Sequence, residues 1–346
     1  MAYFFEMNNK FFILATFMLL GLFMSSLEKI AGAQPIGVCY GQIGDNLPPE
    51  QEVINLFRTN GIGKMRIYGP NPAILEALRG SNIELILDVT NDKLQALSDA
   101  ATANDWVRQN VLNYPDVTYR YIAVGNEIKP NDGRAQYVVP AMQNIHNAIV
   151  SANLQDQIKV STSIDMSLLG NSYPPSAGSF SDSASSYMAS VVTFLANNGA
   201  PLLANVYPYF SYIGNSQSIS LDYALLRSPG VVVQDGEYGY QNLFDAILDA
   251  LYSALEKSGG SNVKVVVSES GWPSEGHAAA TIDNAATYYQ NLINHVNSGT
   301  PKRPGQAIQT YLFAMFDENK KGPEETERHF GLFHPDKQPK YQIRFN

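Results

Sequence analysis

Eight short apolar runs punctuate the chain: Ile36–Tyr40, Lys64–Tyr68, Ile83–Asp88, Arg120–Val124, Lys159–Ile164, Leu202–Tyr207, Val263–Ser268 and Ile308–Phe313. Each is too short for a helix and apolar nearly throughout, the pattern of a strand buried on both faces. Between the runs, apolar residues recur three and four positions apart. This holds over Glu50–Phe57, Ala73–Leu78, Trp106–Leu112, Val138–Ala152, Ser186–Ala196, Leu243–Leu255 and Ala285–Val296, the spacing of one buried helix face. Strands alternating with helices predict a parallel sheet covered on its outer face. Eight of them predict closure into an α/β fold of the (β/α)8 TIM barrel type, built as a single domain. The rival is an open doubly wound sheet, which the lack of a Gly-rich phosphate turn after the first strand disfavours.

Two stretches interrupt the regular spacing. Residues 165–182 and 208–242 are long, rich in Ser, Gly, Pro and Tyr, and follow the fifth and sixth strands. The second contains Val231-Val232-Val233 between Gly230 and Gly236, a segment able to pair as a small hairpin. Insertions after barrel strands lie on the face where such folds carry out chemistry, so both are expected to shape a cleft.

Ahead of the first strand, Lys10 precedes an apolar run from Phe11 to Met24, and Ala31-Gly32-Ala33 follows. A charged flank, a short apolar core and a small-x-small ending describe a secretory signal peptide over residues 1–33, with the catalytic domain spanning 34–346. The apolar run falls short of the roughly 20 residues a membrane span needs. The expectation is an exported protein beginning at Gln34, with no membrane association after cleavage. The formal net charge of −9 argues against nucleic acid and other polyanions as partners, whereas a neutral polymer is indifferent to it. Cys39 is the only cysteine, so no internal disulfide is expected, and its apolar surroundings mark a buried, inert thiol. No Asn-x-Ser/Thr sequon occurs. The five histidines show no HExxH or paired spacing, so neither a metal nor another cofactor is expected. A Gly-x-Ser-x-Gly elbow is also missing. Nothing suggests more than a monomer.

Two carboxylates stand out. Glu127 closes the run Tyr119–Glu127, and Glu269 closes Val263–Glu269 just before Ser270-Gly271-Trp272-Pro273. A carboxylate at the end of a buried strand is held rigidly yet reaches a loop rim. Two of them on different strands are what glycosidic bond cleavage requires, by retention or by inversion according to their separation. The plainer reading of either is a helix cap. Asn126, beside Glu127, is suited to hydrogen-bond a sugar hydroxyl. The acidic cluster after the last strand places Glu318 and Lys321 nearest the rim, where they can orient a catalytic carboxylate. Tyr40, Tyr68, Tyr207, Tyr209, Phe210, Trp272 and Phe316 gather at strand ends and offer flat faces for sugar rings, with core packing as the competing account for each.

At these residues the chain resembles glycoside hydrolase family 17, the plant glucan endo-1,3-β-glucosidases. The matching words are Ile36–Gly41 (IGVCYG), Met65–Tyr68 (MRIY), Ala123–Glu127 (AVGNE), Leu202–Phe210 (LLANVYPYF), Val267–Pro273 (VSESGWP), Phe313–Lys321 (FAMFDENKK) and His329–Phe333 (HFGLF). The resemblance implies an open groove that cuts internal bonds of β-1,3-glucan with retention. It further implies Glu269 as nucleophile, Glu127 as acid/base, and Glu318, Lys321 and Glu327 as supporting charges. The residues alone do not say which glutamate has which role. With the chain stopping at 340–346, without the C-terminal extension of some relatives, the resemblance favours an extracellular over a vacuolar destination. It further suggests a role in defence against fungal walls. A mixed-linkage β-1,3-1,4-glucanase is the alternative enzyme. A glucan-binding protein without activity is the alternative class, against which the full set of charged site residues argues.

Overall fold

The computed structural model describes residues 36–345, so the expected signal peptide over residues 1–33 and Gln34 lie outside the described residues. Eight strands form a closed, all-parallel barrel: β1 (Ile36–Tyr40), β2 (Lys64–Ile67), β3 (Glu84–Val89), β4 (Thr118–Asn126), β5 (Lys159–Asp165), β6 (Leu202–Asn205), β7 (Val265–Ser270) and β8 (Thr310–Leu312). The last strand closes onto the first with Ile36 opposite Thr310. Helices between the strands cover the outside: α1 (Glu50–Thr59), α2 (Pro72–Leu78), α3 (Ala100–Val107), α4 (Ala135–Ser151), α5 (Asp182–Asn198), α6 (Leu243–Lys257) and α7 (Ile282–His295), with the further helices Pro208–Gly214 and Leu221–Ala224 in the second insertion. The (β/α)8 expectation holds; all eight strand runs and six of the seven helical patterns fall on these elements, while the pattern Trp106–Leu112 overlaps only the end of α3. Helix α3 begins earlier than the pattern from Trp106 indicates, and a π-helical turn over Arg108–Leu112 continues it.

Local chemistry starts several helices where they start. Asn71, Ser181, Asn242 and Thr281 each stand at an N-cap and accept a backbone N–H with the side-chain oxygen. Pro72 opens α2, where its missing donor costs nothing.

The core is two-layered. Outward-facing strand residues such as Val38, Met65, Leu85, Val124 and Val267 pack with the helix faces in one large cluster. Inward-facing residues form a second cluster of Cys39, Ile86, Tyr121, Leu203, Val266 and Tyr311 inside the barrel. The strands are buried on both sides, as read, but not apolar on both. Arg66, Asp88, Asn205 and Ser268 are fully or almost fully buried, and the last three each follow by two positions a residue of the inner cluster, namely Ile86, Leu203 and Val266. The polar layer therefore begins where the strands approach their C-terminal ends.

The two insertions cover one side of the barrel. The first forms a small hairpin, Leu169–Asn171 with Ser179–Phe180. The second forms the hairpin Val233–Asp235 with Tyr238–Tyr240, and Val232 of the valine run extends it by donating its amide to the Tyr240 carbonyl at 2.9 Å. Asp235 accepts hydrogen bonds from the Ser176 amide and hydroxyl, which ties the two insertions together. Among the described residues, no helix is long and apolar enough to cross a membrane.

Phe57 on α1 is fully buried against the barrel. Phe57→Ala is expected to lower unfolding free energy by about 3–5 kcal/mol, measured by urea denaturation, because the vacated volume cannot be refilled.

Candidate active site

Both glutamates stand beside breaks in strand register. Neighbouring residues of a regular strand point to opposite faces, so Ser268 and Glu269 should not both face the barrel axis. Register shifts between Val267 and Glu269 against β6, which re-aims the side chains there. Ser268 Oγ donates to Asn205 Oδ1 at 2.8 Å, and Glu269 meets Arg66 on the same inner side. A second break lies between Ala123 and Asn126 in β4. There Gly125 takes φ +81° and Glu127 φ +55°, a left-handed conformation uncommon for a side-chain-bearing residue. Asn126 and Glu127 consequently both reach Asn205 Nδ2, at 3.0 and 2.9 Å.

Glu269 is almost buried, at 6 % exposure, and three groups donate to it. Arg66 Nη1 and the Tyr68 hydroxyl each reach Oε1 at 2.9 Å, and the Tyr207 hydroxyl reaches Oε2 at 2.6 Å. Three donors on one carboxyl suit its anionic, acceptor-only form. Glu127 has a different environment. Burial and then the nearby Glu269 charge push its carboxyl up to about 7, against the hydrogen bond from Asn205. Two carboxyl groups with opposed surroundings can divide acid and nucleophile roles between them.

A cleft of about 1080 Å³ opens over this pair. Glu318, Lys321 and Glu327 line it, as do Tyr40, Tyr68, Tyr207, Phe210 and Asn126. Glu318 Oε1 accepts the Ile43 amide at 2.9 Å, and burial raises its carboxyl above the ordinary range, with Lys321 opposing. Gly41 makes room for it: a Cβ there would sit 2.3 Å from the Glu318 carboxylate. Lys321 binds Glu327 at 3.1 Å and lies 4.1 Å from the centre of the Phe313 ring. The cation in direct contact with Glu269 is Arg66, not Lys321.

Three aromatic residues expected at the rim belong to the core instead. Trp272 has no exposure; its indole N–H donates to the Ala279 carbonyl, and Tyr209 and Tyr288 pack on its ring. Phe316 is 2 % exposed and packs edge-on against Tyr40. Tyr209, also fully buried, goes with them. A strand end is followed by a turn, and these rings fold back under it rather than over the cleft. Phe313 and Phe330 line the cleft in their place. Cys39 is fully buried, its thiol pushed up by burial and donating to the Ser268 carbonyl.

Sequence reasoning missed Arg66, Asp88 and Asn205. Asn205 joins the two glutamate environments, since its Oδ1 accepts from Arg66 while its Nδ2 donates to Glu127. A signal was present: a charged or amide residue two positions from an inward neighbour, inside a run otherwise apolar, as in Lys64-Met65-Arg66-Ile67-Tyr68.

A (β/α)8 barrel with paired glutamates at the C-terminal ends of its strands, facing an open cleft, has the build of a glycoside hydrolase. The family model described as "Glycosyl hydrolases family 17" matches residues 36–345. A glucan endo-1,3-beta-glucosidase of Vitis vinifera is 63 % identical over 344 residues, covering 98 % of this chain and 99 % of the relative. A solved β-1,3-glucanase and pollen allergen of Cryptomeria japonica is 51 % identical with a TM-score of 0.87, covering 90 % of this chain and 99 % of its own. A chain from a study of two plant β-glucan endohydrolases with distinct substrate specificities is 50 % identical, also with a TM-score of 0.87, covering 89 % and 100 %. The chain belongs to glycosyl hydrolase family 17.

Glu127 also sets a pH dependence of stability. Its folded carboxyl, at about 7, lies above the ordinary 4.5, so folding favours the protonated form. That contribution is full below 4.5 and is lost as pH rises through about 7. Glu127→Gln carries no such proton. Between about pH 5 and about pH 7.5 its urea midpoint is therefore expected to fall less than that of the parent.

Proposed function

We propose that this protein is an endo-acting glucan endo-1,3-β-glucosidase that cleaves β-1,3-glucan with retention of anomeric configuration. The observation that carries the reading is the contrast between its two glutamates: Glu269 is held by three donors, and Glu127 is buried toward its neutral form. The β-1,3 linkage is supported by the name of the grape relative at 63 % identity. Endo action is supported by the large open cleft, which leaves room for a chain to run through.

In the first step Glu269 forms a bond to the anomeric carbon as the glycosidic bond breaks. Its Oε2, with one donor against two on Oε1, is the freer oxygen for attack. Glu127 gives its proton to the departing oxygen, and the shortened glucan leaves. In the second step Glu127, now a carboxylate, takes a proton from water, which attacks the same carbon and releases Glu269. Two displacements restore the original configuration. Asn126 is assigned to a sugar hydroxyl beside the reacting carbon, and Glu318, Lys321 and Glu327 to the charge balance of the wall. Tyr40, Tyr68, Tyr207 and Phe210 supply the faces against which sugar rings lie.

The N-terminal pattern supports an exported enzyme acting outside the cell, and the acidic balance fits the secreted, defence-associated type acting on callose and fungal wall glucan. No cofactor enters the mechanism, and the reading is of a monomer.

Reducing-end release from linear β-1,3-glucan and from mixed-linkage β-1,3-1,4-glucan tests the assignment. Activity is expected on the first, with Glu269→Gln lowering it by at least about 10³-fold. Proton NMR of the fresh hydrolysate should show the β-anomer first. Preference for mixed-linkage glucan would transfer the specificity, an α-anomer first would replace retention by inversion, and silence on both would leave a glucan-binding protein.

A further inference from the structure

Asp88 takes no part in the mechanism above, yet it lies beneath it. The carboxylate is 1 % exposed at the end of β3. Its hydrogen bonds among the described residues run to one side chain: Arg66 Nε reaches Oδ1 at 3.1 Å and Arg66 Nη2 reaches Oδ2 at 2.7 Å. This two-pronged contact fixes the guanidinium plane and its rotation. What remains of Arg66 then faces the site: Nη2 donates to Asn126 Oδ1 at 2.9 Å. Nη1 is shared among Glu269 Oε1 at 2.9 Å, Asn205 Oδ1 at 3.1 Å and the Ser268 carbonyl at 3.2 Å.

We propose that Asp88 is a positioning residue for the reaction, acting through Arg66 to hold Glu269 and the Asn126–Asn205 pair in register. The proposal rests on the reading of Glu269 as nucleophile. One guanidinium lies between two buried carboxylates, and a planar fork prefers to grip a carboxylate with both prongs. With Asp88 taking that grip, Arg66 offers Glu269 a single donor. Without Asp88, the same fork turns to chelate Glu269, drawing Oε2 away from Tyr207 and releasing Asn126. Plain charge neutralisation of a buried arginine is the competing account. It predicts loss of stability, but not a defect confined to turnover.

Asp88→Asn and Asp88→Ser are the test, assayed on a linear β-1,3-oligosaccharide well below each variant's unfolding temperature. Because the substrate still binds along the cleft but meets a misplaced nucleophile, kcat is expected to fall about 10²-fold while KM stays within about threefold. If Asp88 acts through Arg66, adding Asp88→Asn to Arg66→Lys costs no further activity beyond about threefold. Parent-like kcat in the single variants overturns the proposal, as does additive loss in the double variant. Failure of both single variants to fold also overturns it, making Asp88 a residue of the core. A parent protein silent on every β-glucan defeats the functional reading instead. In that case NMR exchange of the Arg66 Nε–H decides separately: exchange accelerated by Asp88→Asn supports the clamp, and unchanged exchange overturns it.

Discussion

A guanidinium with no solvent contact has five N–H groups to satisfy from protein alone, and that requirement organises the mouth of this barrel. Arg66 meets it with Asp88, Asn126, Asn205, the Ser268 carbonyl and Glu269, drawn from β3, β4, β6 and β7 around its own β2. An unpaired buried charge is strongly destabilising, so these strands cannot shift independently. Glu269 is thus placed by the same contacts that make the buried cation tolerable. Tyr68 adds to this, stacking its ring 4.7 Å from the Arg66 carbon while its hydroxyl binds Glu269.

Departures from regular strand geometry complete the arrangement. A parallel barrel offers every second residue to its interior, which is too sparse to bring Asn126 with Glu127, or Ser268 with Glu269, to one centre. Register breaks in β4 and β7, and the left-handed backbone at Glu127, supply the missing density. The geometry then separates the electrostatics. Glu269 meets a cation and two hydroxyls, whereas Glu127 meets one amide and the field of Glu269. A difference in electrostatic environment thereby arises between two identical side chains at equivalent strand ends.

The outer wall obeys simpler physics. Glu318 occupies space that Gly41 leaves, and its loop is fastened across the cleft edge through the Ile43 amide. Lys321 lies over Phe313 and pairs with Glu327, and the wall acts on Glu269 through its field rather than by contact.

Periodicity specified the strands and helices, because strands buried on both faces and helices buried on one leave different spacings in the chain. The count of eight, with no Gly-rich turn after the first strand, favoured a closed barrel over an open sheet. The strand-end carboxylates were legible for a related reason: Glu127 and Glu269 interrupt apolar runs where a rigid scaffold meets a turn. Arg66, Asp88 and Asn205 were not recognised, since each is a single polar position inside an apolar run, and its meaning depends on partners some 20 to 200 residues away. The fates of the aromatic residues were undecided by sequence for the same reason. Trp272 and Phe316 turn into the core, and Phe313 and Phe330 turn out to the cleft, according to the path of the backbone after each strand. Local sequence determines which elements form and where they end. Only closure of the barrel decides which polar groups meet inside it, because that depends on contacts between strands distant in the chain.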